Sequence, residues 1–195
     1  MKILRLSSLL ICFWFCLSSC NTQNYDYKVE NYNLAIETIN NTADVKVTME
    51  LTYIVGANES KSEGFKFVGD NTVDSLTCWD ETGVISSKVD YLKETRISFQ
   101  FNPIVAGTKK IKSTFILRDF IKTQNNKFVI DATWAGVFRV PVEKAKYSLY
   151  LPSSYKNLKF KEPHQWKQEI QGNFNYFYYT QVPLKEKTIK IKFEK

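Results

Sequence analysis

The chain has 195 residues, of which 44% are hydrophobic, 15% aromatic and 24% charged, with a formal net charge of +7. This size and composition predict one globular domain, or at most two small ones, and exclude an intrinsically disordered or collagen-like chain. A single histidine and four cysteines limit the zinc sites and the histidine-dependent catalytic sites that the chain could build.

The N-terminus has the layout of a secretory signal peptide. Lys2 and Arg5 give it a positive start, an unbroken apolar run covers residues 9–17, and small residues follow. The run is too short to cross a bilayer, which needs about 20 apolar residues. We therefore predict that residues 1–19 are a signal peptide, the alternative being a buried N-terminal helix.

The apolar run ends in Leu17-Ser18-Ser19-Cys20, a sequence that resembles the lipobox of bacterial lipoproteins. The resemblance implies that Cys20 carries diacylglycerol and begins the mature chain, so that its acyl chains anchor the protein to a membrane. Residues 20–24 are then a very short tether. Asn21 is not the aspartate that resembles an inner-membrane retention signal, which favours the outer membrane. Residues 20–24 also lack the acidic cluster that resembles a surface-export tag, which favours the periplasmic face.

Cysteine use predicts no intramolecular disulfide in the mature chain. Cys12 and Cys16 leave with the signal peptide and Cys20 carries lipid, so Cys78 is the remaining thiol. A nucleophilic cysteine needs a base, and the only histidine, His164, has no motif that links it to Cys78. Cys78 is therefore expected to be a small, partly buried hydrophobic residue.

From residue 25 onward, apolar residues recur with a period of two, which is typical of half-buried β-strands. In the segment Val45–Val55 the odd positions are apolar or aromatic, and turn residues at 40–44 join it to an alternating run at 33–39 in a predicted hairpin. About a dozen such runs, with no amphipathic helix, predict an all-β fold of antiparallel strands in a two-sheet sandwich or open barrel. Residues 25–195 are expected to form this single domain.

Basic residues are spread through the domain rather than clustered. Loss of Lys2 and Arg5 lowers the net charge from +7 to +5, and the dispersed lysines argue against a nucleic-acid partner. The last predicted strand, at residues 188–193, alternates apolar residues with lysines. These lysines either lie on a solvated face or protect an edge strand from pairing with other chains, or they form a basic stripe for anionic lipid or polysaccharide.

The most distinctive segment is an aromatic run at residues 172–180. A period of two places Tyr176 and Tyr178 on one face of a strand and Phe177 and Tyr179 on the other. An exposed subset of aromatic side chains could stack on sugar rings or hold a partner protein, whereas a central strand between two layers would bury them. The candidate contact residues are Trp134, Trp166, Tyr176, Phe177, Tyr178 and Tyr179.

Several segments, in chain order, form a second resemblance. They are an opening strand at residues 32–37, the long strand Val45–Val55, a Pro-to-Gly element before an extended strand at 103–117, and Trp134 followed by a strand that ends in Pro152. This order resembles the N-terminal β-domain of the zinc aminopeptidases of the membrane-alanyl type. The family's zinc signature, His-Glu-x-x-His with a distant Glu, needs more than one histidine. The resemblance therefore implies the fold of the non-catalytic domain, and no functional residue of the family is carried over.

Other catalytic motifs are absent from the sequence. There is no Gly-x-Ser-x-Gly elbow, no phosphate-binding loop and no dinucleotide fingerprint. The carboxylates that could form a glycosidase pair lie in turns or near strand ends, where we expect them to be solvated: Asp80, Glu81, Asp119 and Asp131. We predict a protein that is not an enzyme and has neither metal nor cofactor.

The function that the sequence favours is that of a lipid-anchored cell-envelope protein whose β-sandwich binds or scaffolds another envelope protein. Two alternatives stay open. The chain could be an accessory, non-catalytic subunit or remnant of an envelope peptidase or hydrolase. It could also be a weak glycan binder that uses the aromatic side chains at 176–179.

Overall fold

A computed structural model describes residues 26–40, 42–125, 127–135, 140–162, 165–181 and 187–194, with side chains except at 131–135, 161, 162, 181 and 187–194. Within these ranges no helix is long and apolar enough to span a membrane. The signal peptide and Cys20 lie outside them. The described strands are β1 (Tyr27–Thr38), β2 (Val45–Val55), β3 (Lys61–Phe67), β4 (Thr72–Asp80), β5 (Gly83–Tyr91), β6 (Thr95–Ile104), β7 (Gly107–Arg118), β8 (Lys122–Gln124), β9 (Lys127–Ala135), β10 (Val142–Pro152), β11 (Lys156–Glu162), β12 (Lys167–Gln171), β13 (Phe174–Gln181) and β14 (Lys187–Glu194).

The strands form two sheets. The larger sheet has ten strands in the order β12-β13-β10-β1-β2-β7-β4-β5-β6-β3, and the smaller has four in the order β11-β14-β9-β8. The predicted all-β fold is confirmed. Strands β1 and β10 run parallel, a pairing that the sequence analysis did not predict. Because these strands lie far apart in the chain, no tight turn imposes an antiparallel direction on them.

The predicted hairpin of β1 and β2 lies at the centre of the larger sheet. Its strands pair antiparallel from Tyr27 opposite Val55 to Thr38 opposite Val45. The alternating pattern of β2 buries Val45, Val47 and Met49 at 2% exposure or less. Burial of this apolar face, at about 25 cal/mol per Å², stabilises the register, since a slip of one residue would turn the whole face to solvent.

The larger sheet folds over itself at β5. The first part of β5 pairs with β4, and its second part, from Ser86 to Tyr91, pairs with β6. Strand β6 thereby packs on β2, where the rings of Phe101 and Tyr53 stack with centroids 6.3 Å apart. On neighbouring β3, a Cβ atom at Gly64 would lie 2.5 Å from the Phe99 ring, so the absence of a side chain allows this close approach.

The smaller sheet packs against the larger one near its β12–β13 end. Ile130 of β9 and Tyr155, which precedes β11, join the same buried cluster as the larger sheet. The ring centroid of Phe160 in β11 lies 4.7 Å from that of Phe177 in β13. Strand β14 pairs with β11 on one side and β9 on the other, so the interpretation of its lysines as protection of an edge strand is wrong.

Candidate functional site

The aromatic run forms an interior strand of the larger sheet. Strand β13 pairs with β10 on one side and β12 on the other. Tyr176 and Phe177 are buried, at 6% and 3% exposure, and Tyr178 and Tyr179 are half-buried. The run therefore corresponds mainly to the buried-strand alternative, and it offers only part of its rings to a ligand.

The six candidate contact residues do not form one surface. Trp134 lies in β9, but its side chain is outside the described residues, as is the whole of His164. The alternation of β13 places Tyr176 and Tyr178 on the outer face of the larger sheet. Phe177 and Tyr179 lie on the opposite face, where Trp166, just before β12, is 6.4 Å from Tyr179 between ring centroids.

The outer face carries a row of three stacked tyrosines with two lysines, which we call the tyrosine–lysine surface. Tyr150 of β10 stacks on Tyr176, and Tyr176 on Tyr178, with ring centroids 4.7 Å and 5.2 Å apart. The Nζ atom of Lys146 lies 5.1 Å from the Tyr178 centroid, and that of Lys167 lies 5.8 Å from it. These separations are typical of cation–π contacts, which keep the rings and the charges in place.

Hydrogen bonds fix the tyrosine hydroxyls of this surface. The Tyr176 hydroxyl lies 3.1 Å from the Ser148 hydroxyl in a buried pair. Its hydrogen bond with Lys146 raises the pKa of that lysine above its ordinary value, so Lys146 stays charged. A hydrogen bond to Glu169 raises the pKa of Tyr178, which keeps the phenol protonated. The surface is thus preorganised, with its cations beside aromatic rings.

The opposite face of β13 contributes to a pocket of about 470 Å³ between β11 and the β12–β13 pair, which we call the aromatic–amide pocket. Tyr155 and Phe177 are its buried residues, whereas the amide side chains of Asn157 and Gln168 are exposed at its edge. The Gln168 Nε2 donates to the Asn175 Oδ1 at 3.3 Å. The pocket is lined by Tyr155, Asn157, Leu158, Phe160, Trp166, Gln168, Asn175 and Phe177.

Aromatic contacts hold the wall of this pocket. The ring centroids of Phe160 and Trp166 lie 5.3 Å apart, and Phe160 also packs on Phe177. The Trp166 Nε1 is shielded from solvent and has no hydrogen-bond partner among the described residues.

Trp166 and Phe177 were predicted from the sequence as contact residues, but the rest of the pocket was not, because strands β11 and β12 were not predicted. A usable signal was present in β11, where Leu158 and Phe160 alternate with lysines. No comparable signal marks β12, whose five residues are all exposed. Asn175 lay within the aromatic run, but its neighbours across the sheet could not be read from the sequence.

Two of the groups considered for catalysis, Asp80 and Cys78, have structural partners. The Asp80 side chain is 1% exposed and lies 2.6 Å from the Lys109 Nζ, so the expectation of a solvated carboxylate is wrong there. Cys78 is fully buried, its Sγ donates to the Ser113 Oγ at 3.1 Å, and burial raises the pKa of the thiol. In the part of the chain that the structure describes, no group of three or more His, Cys, Asp or Glu residues could hold a metal ion.

Comparison with known proteins gives matches at the level of the fold. No family model and no curated protein matches the sequence. An M1 zinc metallopeptidase from Deinococcus radiodurans superposes with a TM-score of 0.59 at 11% identity, covering 85% of this chain and 42% of that one. A "putative protease" from Parabacteroides distasonis gives 0.53 at 10% identity, covering 87% and 40%. A "putative nutrient binding protein" from Legionella pneumophila gives 0.57 at 6% identity, covering 86% and 67%.

These similarities support the predicted likeness to the β-domain of the zinc aminopeptidases as a likeness of fold. The chain spans about two fifths of the length of the two peptidase-like proteins. Because a fold hosts many functions, the comparison assigns no activity to this chain.

Proposed function

We propose that this protein is a non-catalytic binding module of the cell envelope, held by a lipid on Cys20 at the periplasmic face of the outer membrane, and that its partner is another envelope protein. The lipobox-like sequence supports the anchor. The all-β domain supports the binding role, since it shares its fold with peptidases over only two fifths of their length and with a protein named for nutrient binding.

The observation that carries the binding role is the tyrosine–lysine surface. Tyrosine is enriched where proteins bind one another, because it offers a large contact area and a polar hydroxyl at little conformational cost. The stacked rings of Tyr150, Tyr176 and Tyr178 are already ordered, so binding would freeze few rotamers. Lys146 and Lys167 add positive charge beside them. A complementary partner presents a carboxylate next to an apolar or aromatic side chain.

The test is chemical crosslinking of the full chain in its native membranes, followed by purification and mass spectrometry. We expect a partner that is recovered with the wild type and is lost with Tyr178→Ala or with the charge reversal Lys146→Glu. Lys88→Glu, on the folded-over part of the larger sheet, is the matched control and should retain the partner. Recovery of the same proteins with all four chains would contradict the proposal.

The anchor is tested separately. Mass spectrometry of the membrane-extracted chain should find diacylglycerol on Cys20, and Cys20→Ala should release the protein from the membrane. An unmodified Cys20, or a Cys20→Ala chain that stays in the membrane, would argue against it.

The fold similarity favours a second candidate, an accessory subunit or remnant of an envelope peptidase. In this case the crosslinked partner would itself be a peptidase, and the complex would cleave substrates that the partner alone cleaves poorly. A partner without hydrolase activity would favour the simple binding module.

A further inference from the structure

Among the residues that the structure describes, the lining of the aromatic–amide pocket comprises four aromatic rings, three carboxamides and one leucine, with no acidic or basic side chain. Its volume of about 470 Å³ falls within the roughly 300–1,000 Å³ that is typical of small-molecule sites. Among the described residues of this lining an ionic ligand would find no counter-charge, whereas a ligand with hydroxyls could use the hydrogen-bonding capacity of the carboxamides.

Aromatic and amide groups occupy different parts of the pocket. Tyr155 and Phe177 are buried, and Phe160 and Trp166 are half-buried, so apolar ring surface forms the interior. The exposed Asn157 and Gln168 are the outer groups. Each carboxamide offers two donor hydrogens and a carbonyl acceptor, which can engage a pair of neighbouring hydroxyls.

The backbone conformation and a side-chain hydrogen bond position the carboxamides of the pocket. The pairing of β11 with β14 shifts register between Lys156 and Lys159, so Asn157 and Leu158 form an irregularity in the strand. The side chains of both residues line the pocket. Asn157 has a φ of 55°, in the left-handed region that asparagine tolerates better than most residues. Gln168 and Asn175 are joined by a hydrogen bond across β12 and β13.

From this chemistry we infer that the aromatic–amide pocket binds a neutral sugar ring at the end of a glycan. The C–H face of a pyranose stacks on the ring surface of Trp166 and Phe160, and its hydroxyls bond to the carboxamides of Asn157, Gln168 and Asn175.

This site is separate from the proposed protein-binding surface. The pocket lies on the opposite face of β13 from Tyr176 and Tyr178, so a ligand in it leaves the stacked tyrosines and their lysines uncovered. The inference thus goes beyond the proposed function, and either can fail without the other.

The experiment is a ligand-observed NMR titration of the full chain, extracted in a detergent without a sugar headgroup. The probes are four neutral trisaccharides, namely N,N′,N″-triacetylchitotriose, cellotriose, maltotriose and mannotriose, with sialyllactose as an anionic comparison. We expect saturable binding of at least one neutral probe and weaker binding of the anionic one. The absence of saturable binding by every neutral probe up to its solubility, or a preference for sialyllactose, would overturn the inference.

Matched variants locate the site. Gln168→Ala removes a pocket carboxamide and should weaken binding about threefold to tenfold, the effect of losing one hydrogen bond. Gln171→Ala makes the same change in the same strand outside the pocket and should have no effect. Trp166→Phe keeps an aromatic ring but offers a smaller stacking face, and it should weaken binding by a similar factor. Equal effects of Gln168→Ala and Gln171→Ala would overturn the assignment. Tyr178→Ala, which disrupts the other surface, should bind the sugar normally, and a loss of sugar binding there would also contradict it.

Discussion

A buried ion pair offers the sharpest test of the energetics of this fold. The Lys109 side chain is 5% exposed, and its Nζ lies 2.6 Å from Asp80 and 2.7 Å from Glu81. Burial by itself lowers the pKa of Lys109, yet the hydrogen bonds to both carboxylates outweigh it and raise the pKa above its ordinary value. The Nζ also lies 5.7 Å from the centroid of the Phe101 ring. The cation is thus held within the fold by its two carboxylates.

Lys109→Met removes the charge with little change in length and leaves the Asp80 carboxylate buried without its cation. Breaking a buried pair by removing one partner costs about 3–5 kcal/mol. Two hydrogen bonds from Thr82 still reach Asp80, at 2.8 Å and 2.6 Å, so we expect the lower end, about 3 kcal/mol. For a chain of this size, that loss lowers the melting temperature by about 6–12 °C.

The assay is thermal and urea unfolding followed by circular dichroism, with Lys112→Met as the control on the same strand. Lys112 and its partner Glu50 are both about half exposed and lie 3.7 Å apart, so their contribution should be below about 1 kcal/mol. If Lys109→Met proves no more destabilising than Lys112→Met, the account of the buried pair is refuted.

The pH dependence gives a second measurement on the same pair. Burial would raise the pKa of Asp80, but hydrogen bonds from Lys109 and Thr82 outweigh it and lower the pKa from 3.8 to about 2. A carboxylate whose pKa is lowered by folding stabilises the native state above its unfolded pKa, and this contribution is lost as the pH falls through the folded value. In Lys109→Met the burial of Asp80 is no longer opposed by the cation, so its folded pKa lies above that of the wild type. The difference in stability between the two proteins should therefore be full at pH 7 and shrink as the pH falls toward 2. A difference that stays constant down to pH 2 would contradict this assignment.

Three further predictions concern single buried positions. Gly64→Ala would place a Cβ 2.5 Å from the Phe99 ring and should cost about 1–3 kcal/mol in urea unfolding; a neutral effect would disprove the close packing. The thiol of Cys78, fully buried and with its pKa raised by burial, should react with iodoacetamide only when the chain unfolds, as followed by mass spectrometry of its peptide; rapid labelling of the native chain would contradict this burial. Tyr176→Phe breaks the buried hydroxyl pair with Ser148 and should cost about 0.5–1.5 kcal/mol by thermal unfolding, whereas an unchanged melting temperature would show that the pair contributes nothing.

The strands with strong alternation could be predicted from the sequence. The run Val45–Val55 matches β2 at both ends, and Asp80, which was expected in a turn or near a strand end, is the last residue of β4 and pairs with Gly83 of β5. Residues that are typical of turns need not end a strand, since β6 continues through Asn102 and Pro103 to Ile104. Proline and asparagine raise the local preference for a turn, but tertiary packing can carry a strand through them.

The candidate site was predictable only in part. The aromatic run identified β13 and the pocket residue Phe177, and Trp166 was a separate candidate. The pocket also needs Asn157 and Gln168, which reach it through a shift in the register of β11 and through the pairing of β12 with β13. Register shifts depend on which strands meet, and a local pattern carries no information on that choice.

The sequence by itself determined the all-β class, the order of most strands and the face of β2 that is buried, because a period of two follows directly from the geometry of a strand. It also determined that a zinc site with three histidine or glutamate ligands of the peptidase type cannot form, since only one histidine exists. Tertiary structure alone decided that β1 and β10 run parallel, that β14 is an interior strand, and that the aromatic run divides into two separate surfaces. These features depend on contacts between segments that lie far apart in the chain, and such contacts arise only when the sheets pack.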